Sequence, residues 1–296
     1  MLFDYAILLN FKLNLIAYIF LSIAIISLWF NKKPIIFGSF LFIAIVLAWF
    51  ADILQWPALL FIMVVASGCY FTFNAKSIYI KVVCGGMVFI LSILVSPLHK
   101  IPGFQNWLLV KEIFISKDAI PYRLFLNFDH PLFGLFILGF SSVPLLKTKT
   151  EWLAMLKKTI PITIMGVLLV YCLSMLLGYV RYDLKLNSFF IIWALNNLLF
   201  TCIAEEALFR GLIQGSVSIA LKSCRGGNYL ALVLASVLFG IKHYQGGTNY
   251  IILASVAGLF YGYAYQKTKR IESSIITHFV LNAVHFIGFT YPALAS

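Results

Sequence analysis

Glu205 and Glu206 stand side by side at the end of an almost uninterrupted apolar run, Leu186 to Ala204. Carboxylates at membrane depth are costly, so two adjacent ones require partners and a use. Arg210 follows Glu206 by four residues, which on a helix puts guanidinium and carboxylate on one face, one turn apart. Glu205 points about 100° away round the helix and is left for chemistry. Two further pairs share the spacing: Phe239 with His243, and His278 with Asn282. A glutamate and a histidine that share one water can remove its proton and make it a nucleophile. A histidine and an asparagine amide one turn apart can donate to the oxyanion of a tetrahedral intermediate, as peptide-bond hydrolysis requires. On this reading Glu205, His243, His278 and Asn282 are the candidate catalytic groups. Glu206 and Arg210 form a buried pair that fixes the helix, and Phe239 shares the face of His243.

These residues must be carried by membrane helices. Hydrophobic residues make up 62% of the 296 positions and charged residues 11%, with a mean hydropathy of +0.98; soluble domains are roughly one quarter charged. About twenty apolar residues cross a bilayer as helix. Apolar runs punctuated by charge, Gly or Pro predict an all-α polytopic bundle of about ten helices: 5–30, 34–52, 56–73, 78–97, 131–147, 159–179, 187–204 continuing to about 221, 228–244, 250–266 and 274–291. The first run is too long for a signal-peptide core and lacks a small-residue cleavage site, so it reads as a span. Residues 1–98 hold four helices with almost no polar groups and no assigned role. Residues 99–130 read as an interfacial loop, with Trp107, Lys111 and Lys117 in an amphipathic middle that could also serve as a lid. Helices in 131–185 connect this to 186–296, the expected catalytic core.

Lys32 and Lys33, Lys76 and Lys81, then Lys147, Lys149, Lys157 and Lys158, then Lys222 and Arg225, then Lys267, Lys269 and Arg270 fall in alternate loops. The positive-inside rule makes those loops cytoplasmic and both termini non-cytoplasmic, although Arg181 and Lys185 dilute the pattern. The net charge of +12 is then an orientation signal plus attraction to anionic lipid headgroups. No basic stripe with interleaved aromatics points to nucleic acid. Cys69, Cys84, Cys172, Cys202 and Cys224 are scattered singly, which argues against a disulfide framework or thiolate metal site and for packing. His285 reads as hydrogen-bonded to a neighbouring helix, His99 and His130 as loop residues, and Lys242 as a side chain that snorkels or lines a cavity entrance.

Depth follows from helix rise. Glu205 lies about 17 residues before the Lys222–Arg225 turn and His243 about 18 after it, so the two come level in an antiparallel hairpin. His278 lies roughly 9 Å past the basic Lys267–Arg270 stretch. This places the site in the cytoplasmic half of the membrane and cleavage near that face, with the Gly246-Gly247 loop shallow or buried in protein. As one helix, Leu186 to Leu221 would measure about 50 Å against a hydrocarbon core of about 30 Å. A break or tilt is therefore expected, with Gly211 and Gly215 as a weak point or a close helix contact.

The three motifs stand as EEALFR at Glu205 to Arg210, FGIKH at Phe239 to His243 and HFVLN at His278 to Asn282. In this order on successive helices they resemble the CPBP family, the intramembrane glutamate endopeptidases that include the eukaryotic CAAX prenyl endopeptidases and bacterial relatives linked to bacteriocin self-immunity. The resemblance covers roughly 186–291. The stretch Ile120 to Pro131 also looks like one ahead of the core in some bacterial members, and the N-terminal four helices have no counterpart. The resemblance implies a water-activating pair at Glu205 and His243, an oxyanion site at His278 and Asn282, and no required cofactor. It also implies a peptide or protein substrate, lipidated or membrane-embedded in some members, and residence in a membrane, here expected to be the bacterial inner membrane. Two other readings remain open. One is a zinc hydrolase with Glu205, His243 and His278 as ligands, since His2Glu is an established catalytic set. The other is a non-catalytic binding or transport protein whose buried Glu/His cluster relays protons or holds a ligand, although the chain shows no internal repeat of the transporter kind.

Overall fold

The expected apolar runs become helices whose ends are set by local chemistry. The computed structural model describes residues 2–98 and 101–295, with side chains over 10–93 and 101–295; His99 lies outside the described residues. Pro34 and Pro57 sit in the first turns of α2 (Pro34–Phe50) and α3 (Trp56–Asn74), where a missing N–H costs nothing. With α1 (Leu2–Phe30) before them and α4 (Ile78–Leu98) after them, they form the N-terminal helices. Among the described residues, four helices are long and apolar enough to cross a membrane: Asn10–Phe30, Trp56–Asn74, Lys149–Leu176 and Phe190–Ala220. The chain is a helical membrane protein.

By packing it divides into two compact units, Met1–Leu108 with Phe125–Ser142, and Leu109–Leu124 with Val143–Ser296. In the first unit, Asp129 caps α5 (His130–Phe140), and every residue from His130 to Leu138 is buried. A helix that is apolar all round belongs in a core. At eleven residues it is also too short to span, which corrects the expected run 131–147. Pro144 explains the early stop, because the residue before proline is pushed out of the helical region. Tyr18 Oη donates to the Leu126 carbonyl at 2.5 Å, and Lys32 Nζ to that of Ser141 at 2.8 Å.

The loop expected over 99–130 is not simply irregular: β1 (Trp107–Ile113) and β2 (Tyr122–Leu126) pair as a two-stranded sheet. Arg123 and Glu112 form an ion pair across it.

In the second unit, α6 (Lys149–Leu176) starts ten residues earlier than the apolar run suggested, because Thr148 and Glu151 form a capping box. Such a cap satisfies two of the orphan N–H groups of the first turn. Thr148→Ala should weaken that turn by about 1 kcal/mol and raise amide exchange there about five-fold, read by hydrogen exchange in detergent; unchanged exchange would contradict the role of the cap.

The long helix α7 (Phe190–Ala220) runs unbroken through 31 residues, about 46 Å. Where a break or tilt was expected, the described backbone shows two π-helical stretches, Asn197–Cys202 and Ala207–Gln214, flanking a short α-helical segment, Ile203–Glu206. α8 (Gly227–Lys242), α9 (Gly247–Thr268) and α10 (Ile271–Gly288) complete the unit through short turns. Tyr171 Oη donates to the Leu281 carbonyl at 2.7 Å and the hydroxyls of Thr163 and Thr277 meet at 2.9 Å, which locks α6 to α10. The extended tail after α10 is stitched to the loop after α6: Thr290 N donates to Arg181 O and Leu294 N to Tyr179 O. The tip of the hairpin joins it, with Ile120 N donating to Ala293 O and Tyr291 N to Ser116 Oγ.

Candidate functional site

α6 to α10 surround a cavity of about 260 Å³ lined by Glu205, Phe239, His243, His278 and Asn282, together with aromatic groups that include Tyr250 and Tyr261. Every proposed catalytic group therefore faces one space. Glu206 and Arg210 stand behind it.

Glu206 and Arg210 are wholly buried, and Arg210 Nε donates to Glu206 Oε2 at 2.9 Å. The pairing follows from the i,i+4 spacing, and it persists although the residues straddle the start of a π turn. The other Glu206 oxygen, Oε1, lies 2.9 Å from His278 Nδ1. A carboxylate only accepts, so Nδ1 carries hydrogen and Nε2 points on toward Glu205, 3.9 Å from its Oε2. His278 is also stacked on Tyr261, centroids 4.5 Å apart and planes 13° off parallel. Its orientation is thus fixed by a hydrogen bond and by a ring face.

The Phe239 ring is the common wall. It meets the rings of Phe209, His243, Tyr261 and His278 at centroid distances of 5.1, 4.7, 5.7 and 5.6 Å, and the Arg210 guanidinium carbon lies 5.6 Å from its centroid. Such a cation is attracted to an aromatic face. The backbone carbonyl of Phe239 accepts from His243 Nδ1 at 2.7 Å. That contact places the hydrogen on Nδ1 and leaves the Nε2 lone pair as a base. Phe239 so acts twice, through its ring and through its main chain. Gly262 allows the close approach of α9: a Cβ there would run into Leu232, Gln214 Oε1 and Arg210 Nη1.

The largest departure from the sequence reading is Lys242. It neither snorkels nor lines the cavity: it is 6% exposed, and its Nζ lies 2.8 Å from Glu205 Oε1. The reason is its place in the last turn of α8, which aims it across at α7. Glu205 therefore has its own cation, as Glu206 does. Asn197 also escaped the sequence reading. It accepts from Asn282 Nδ2 at 3.2 Å and from Cys202 Sγ at 3.2 Å, orienting the amide. An unremarkable Asn-Asn pair in an apolar run was its only signal. His285 bonds within its own segment, Nε2 to Thr290 O at 3.2 Å, not to a neighbouring helix, and it lines the cavity. His130 is buried at the start of α5 and is not an open loop residue. The cysteines are free; Cys69 and Cys202 are buried, whereas Cys172 and Cys224 are exposed and so are not packing residues.

Among the described residues, Glu205, His243 and His278 are not grouped as a metal-ligand set. The Lys242 ammonium lies on Glu205 Oε1, and a dication at the same carboxylate would meet its repulsion.

Residues 187–284 match a family model described as Rce1-like, type II CAAX prenyl endopeptidase Rce1-like. No curated protein and no solved structure matches the chain. The match covers α7 to α9 and most of α10, which carry the candidate catalytic residues, and it contains all three motifs. Within residues 187–284 the chain is similar to the CAAX prenyl endopeptidases.

Proposed function

We propose that the protein is an intramembrane endopeptidase that uses a glutamate/histidine-activated water. The observation that carries this reading is the convergence of Glu205, His243, His278 and Asn282 on one cavity inside a helical membrane unit. Glu205 takes one proton of the water as its oxygen attacks the scissile carbonyl, and His243 Nε2 accepts a hydrogen bond from the other. The 3.9 Å between Glu205 Oε2 and His278 Nε2 is longer than a hydrogen bond and short enough for one oxygen atom to touch both. The tetrahedral oxyanion accepts from Asn282 Nδ2, whose second hydrogen is not needed for Asn197, and from His278. Because Nδ1 of His278 already donates to Glu206, donation from Nε2 requires the doubly protonated ring. The Glu206 carboxylate stabilises that cation. Collapse of the intermediate breaks the C–N bond, and the abstracted proton passes to the leaving amine.

On this proposal turnover needs no metal. The substrate is a polypeptide, lipidated or not, and bilayer lipids are the remaining partners. The test is hydrolysis of quenched peptides, prenylated and unprenylated, by purified protein with and without chelator. Asn282→Ala should lower kcat by about 10²–10³ with KM little changed, the usual effect of losing one oxyanion donor. Loss of activity with chelator and its recovery with zinc would overturn the metal-independent scheme, and unchanged kcat in the variant would remove Asn282 from it.

A further inference from the structure

We propose, resting on the endopeptidase reading above, that the cavity takes its polypeptide from the non-cytoplasmic side of the membrane. The substrate class is then an exported chain or the outer juxtamembrane stretch of a membrane protein, not a lipidated C-terminus in the cytoplasm. This replaces the expectation of cleavage near the cytoplasmic face, and it rests on two independent features of the unit that holds the site.

The first is where the lining comes from. α6 to α10 alternate in direction, so the unit has two ends. One end carries the segment before α6 and the turns α7–α8 and α9–α10, joined by Leu146 N to Glu272 Oε1 at 2.7 Å and Arg270 to Glu151 at 3.0 Å. The other carries 177–189, 243–246 and the tail 289–295, joined by the bonds from Thr290 to Arg181 and from Leu294 to Tyr179. Every non-helical residue that lines the cavity is in this second set: Tyr179, Val180, His243 at the cap of α8, Tyr291 and Pro292. The helical lining agrees with it. α6 contributes Val170, Tyr171 and Ser174 from its last two turns, and α8 contributes Phe239 near its end. No residue of the turns 221–226 or 267–270 takes part.

The second feature is charge. At the end away from the cavity, 147–158, 221–226 and 267–270 hold nine Lys and Arg residues; 177–189, 243–246 and 289–295 hold two. Including the three in 109–124, the count is nine against five. Basic residues close to helix ends are retained in the cytoplasm, so the cavity end faces outward. The hairpin reckoning from Glu205 and His243 correctly made the two groups level. On this proposal the cytoplasmic placement, which rested on the short distance from the Lys267–Arg270 stretch to His278, gives way to the length of α8, roughly 24 Å by helix rise between the basic turn and His243.

Cysteine labelling of the full chain in bacterial spheroplasts with a membrane-impermeant maleimide tests this. Both reporters are built with Cys84→Ser and Cys172→Ser, leaving buried Cys69 and Cys202 in place. The first retains Cys224, exposed in the basic turn; the second carries Cys224→Ser and Ser188→Cys, Ser188 being exposed in the 177–189 loop. Ser188→Cys should label in intact spheroplasts, and Cys224 only after permeabilisation. The reverse pattern overturns the proposal. Labelling does not depend on turnover, so that result leaves the endopeptidase reading standing, whereas a Glu205→Gln variant that still hydrolyses peptides would overturn the endopeptidase reading and leave the orientation intact.

Discussion

Glu205→Gln loses about 10²–10⁴ of the rate of peptide hydrolysis, the range for removing a general base, because an amide keeps the shape of the carboxylate and cannot accept the proton. The sequence alone suggests that folding would be nearly untouched. The 2.8 Å contact with Lys242 changes that expectation. The substitution removes the anion facing a buried ammonium, and breaking a buried pair from one side is destabilising by on the order of 3 kcal/mol. The single variant should therefore melt earlier in detergent as well as lose activity. Adding Lys242→Met removes the ammonium together with the carboxylate, and this double variant should regain thermal stability while remaining inactive. Hydrolysis that survives in either variant at near the parent rate would exclude Glu205 as the base.

Arg210→Ala acts on the fold first. It deletes a guanidinium with no exposure whose Nε holds Glu206 Oε2. Its two Nη groups have no hydrogen-bond partner among the described residues, and the guanidinium carbon lies 5.6 and 6.0 Å from the ring centroids of Phe239 and Tyr261. Glu206 keeps the His278 contact but loses its full counter-charge, at a cost of about 3–5 kcal/mol. The yield of monodisperse protein and the unfolding temperature should both fall. Arg210→Lys should recover little, since a lysine cannot offer a planar group to two aromatic faces. A parental melting curve for Arg210→Ala would show that the pair does not support the helix.

The motif residues were legible because i,i+4 spacing decides which side chains share a face. That rule brought Glu206 to Arg210 and His243 against Phe239. Helix number was legible for a similar reason, since hydropathy sets how much chain can be buried in lipid. Lys242 was not legible: whether a lysine beside a motif histidine reaches water or another helix depends on where its helix ends, and a sequence periodicity is blind to that. The run 131–147 failed on length. Residues apolar enough to enter lipid are equally suited to a protein core, and α5 took that course until Pro144 stopped it. The hairpin at 107–126 was missed because β1 reads as an amphipathic stretch under either period, with Trp107 and Lys111 four apart.

The π-helical stretches on either side of Ile203–Glu206 give α7 a property that no contact list conveys. A π turn holds more residues than an α turn, so each one advances the phase of everything beyond it. The two carboxylates sit on the four residues between such phase shifts. The direction in which Glu205 faces is therefore governed by the residue count of its flanks as much as by its own neighbours. Removing one residue from 197–202 would turn one flank by about 100° relative to the other while deleting no catalytic group. In this helix the unit under constraint is an angle, and sequence changes that preserve every side chain of the site can still point the glutamate at lipid.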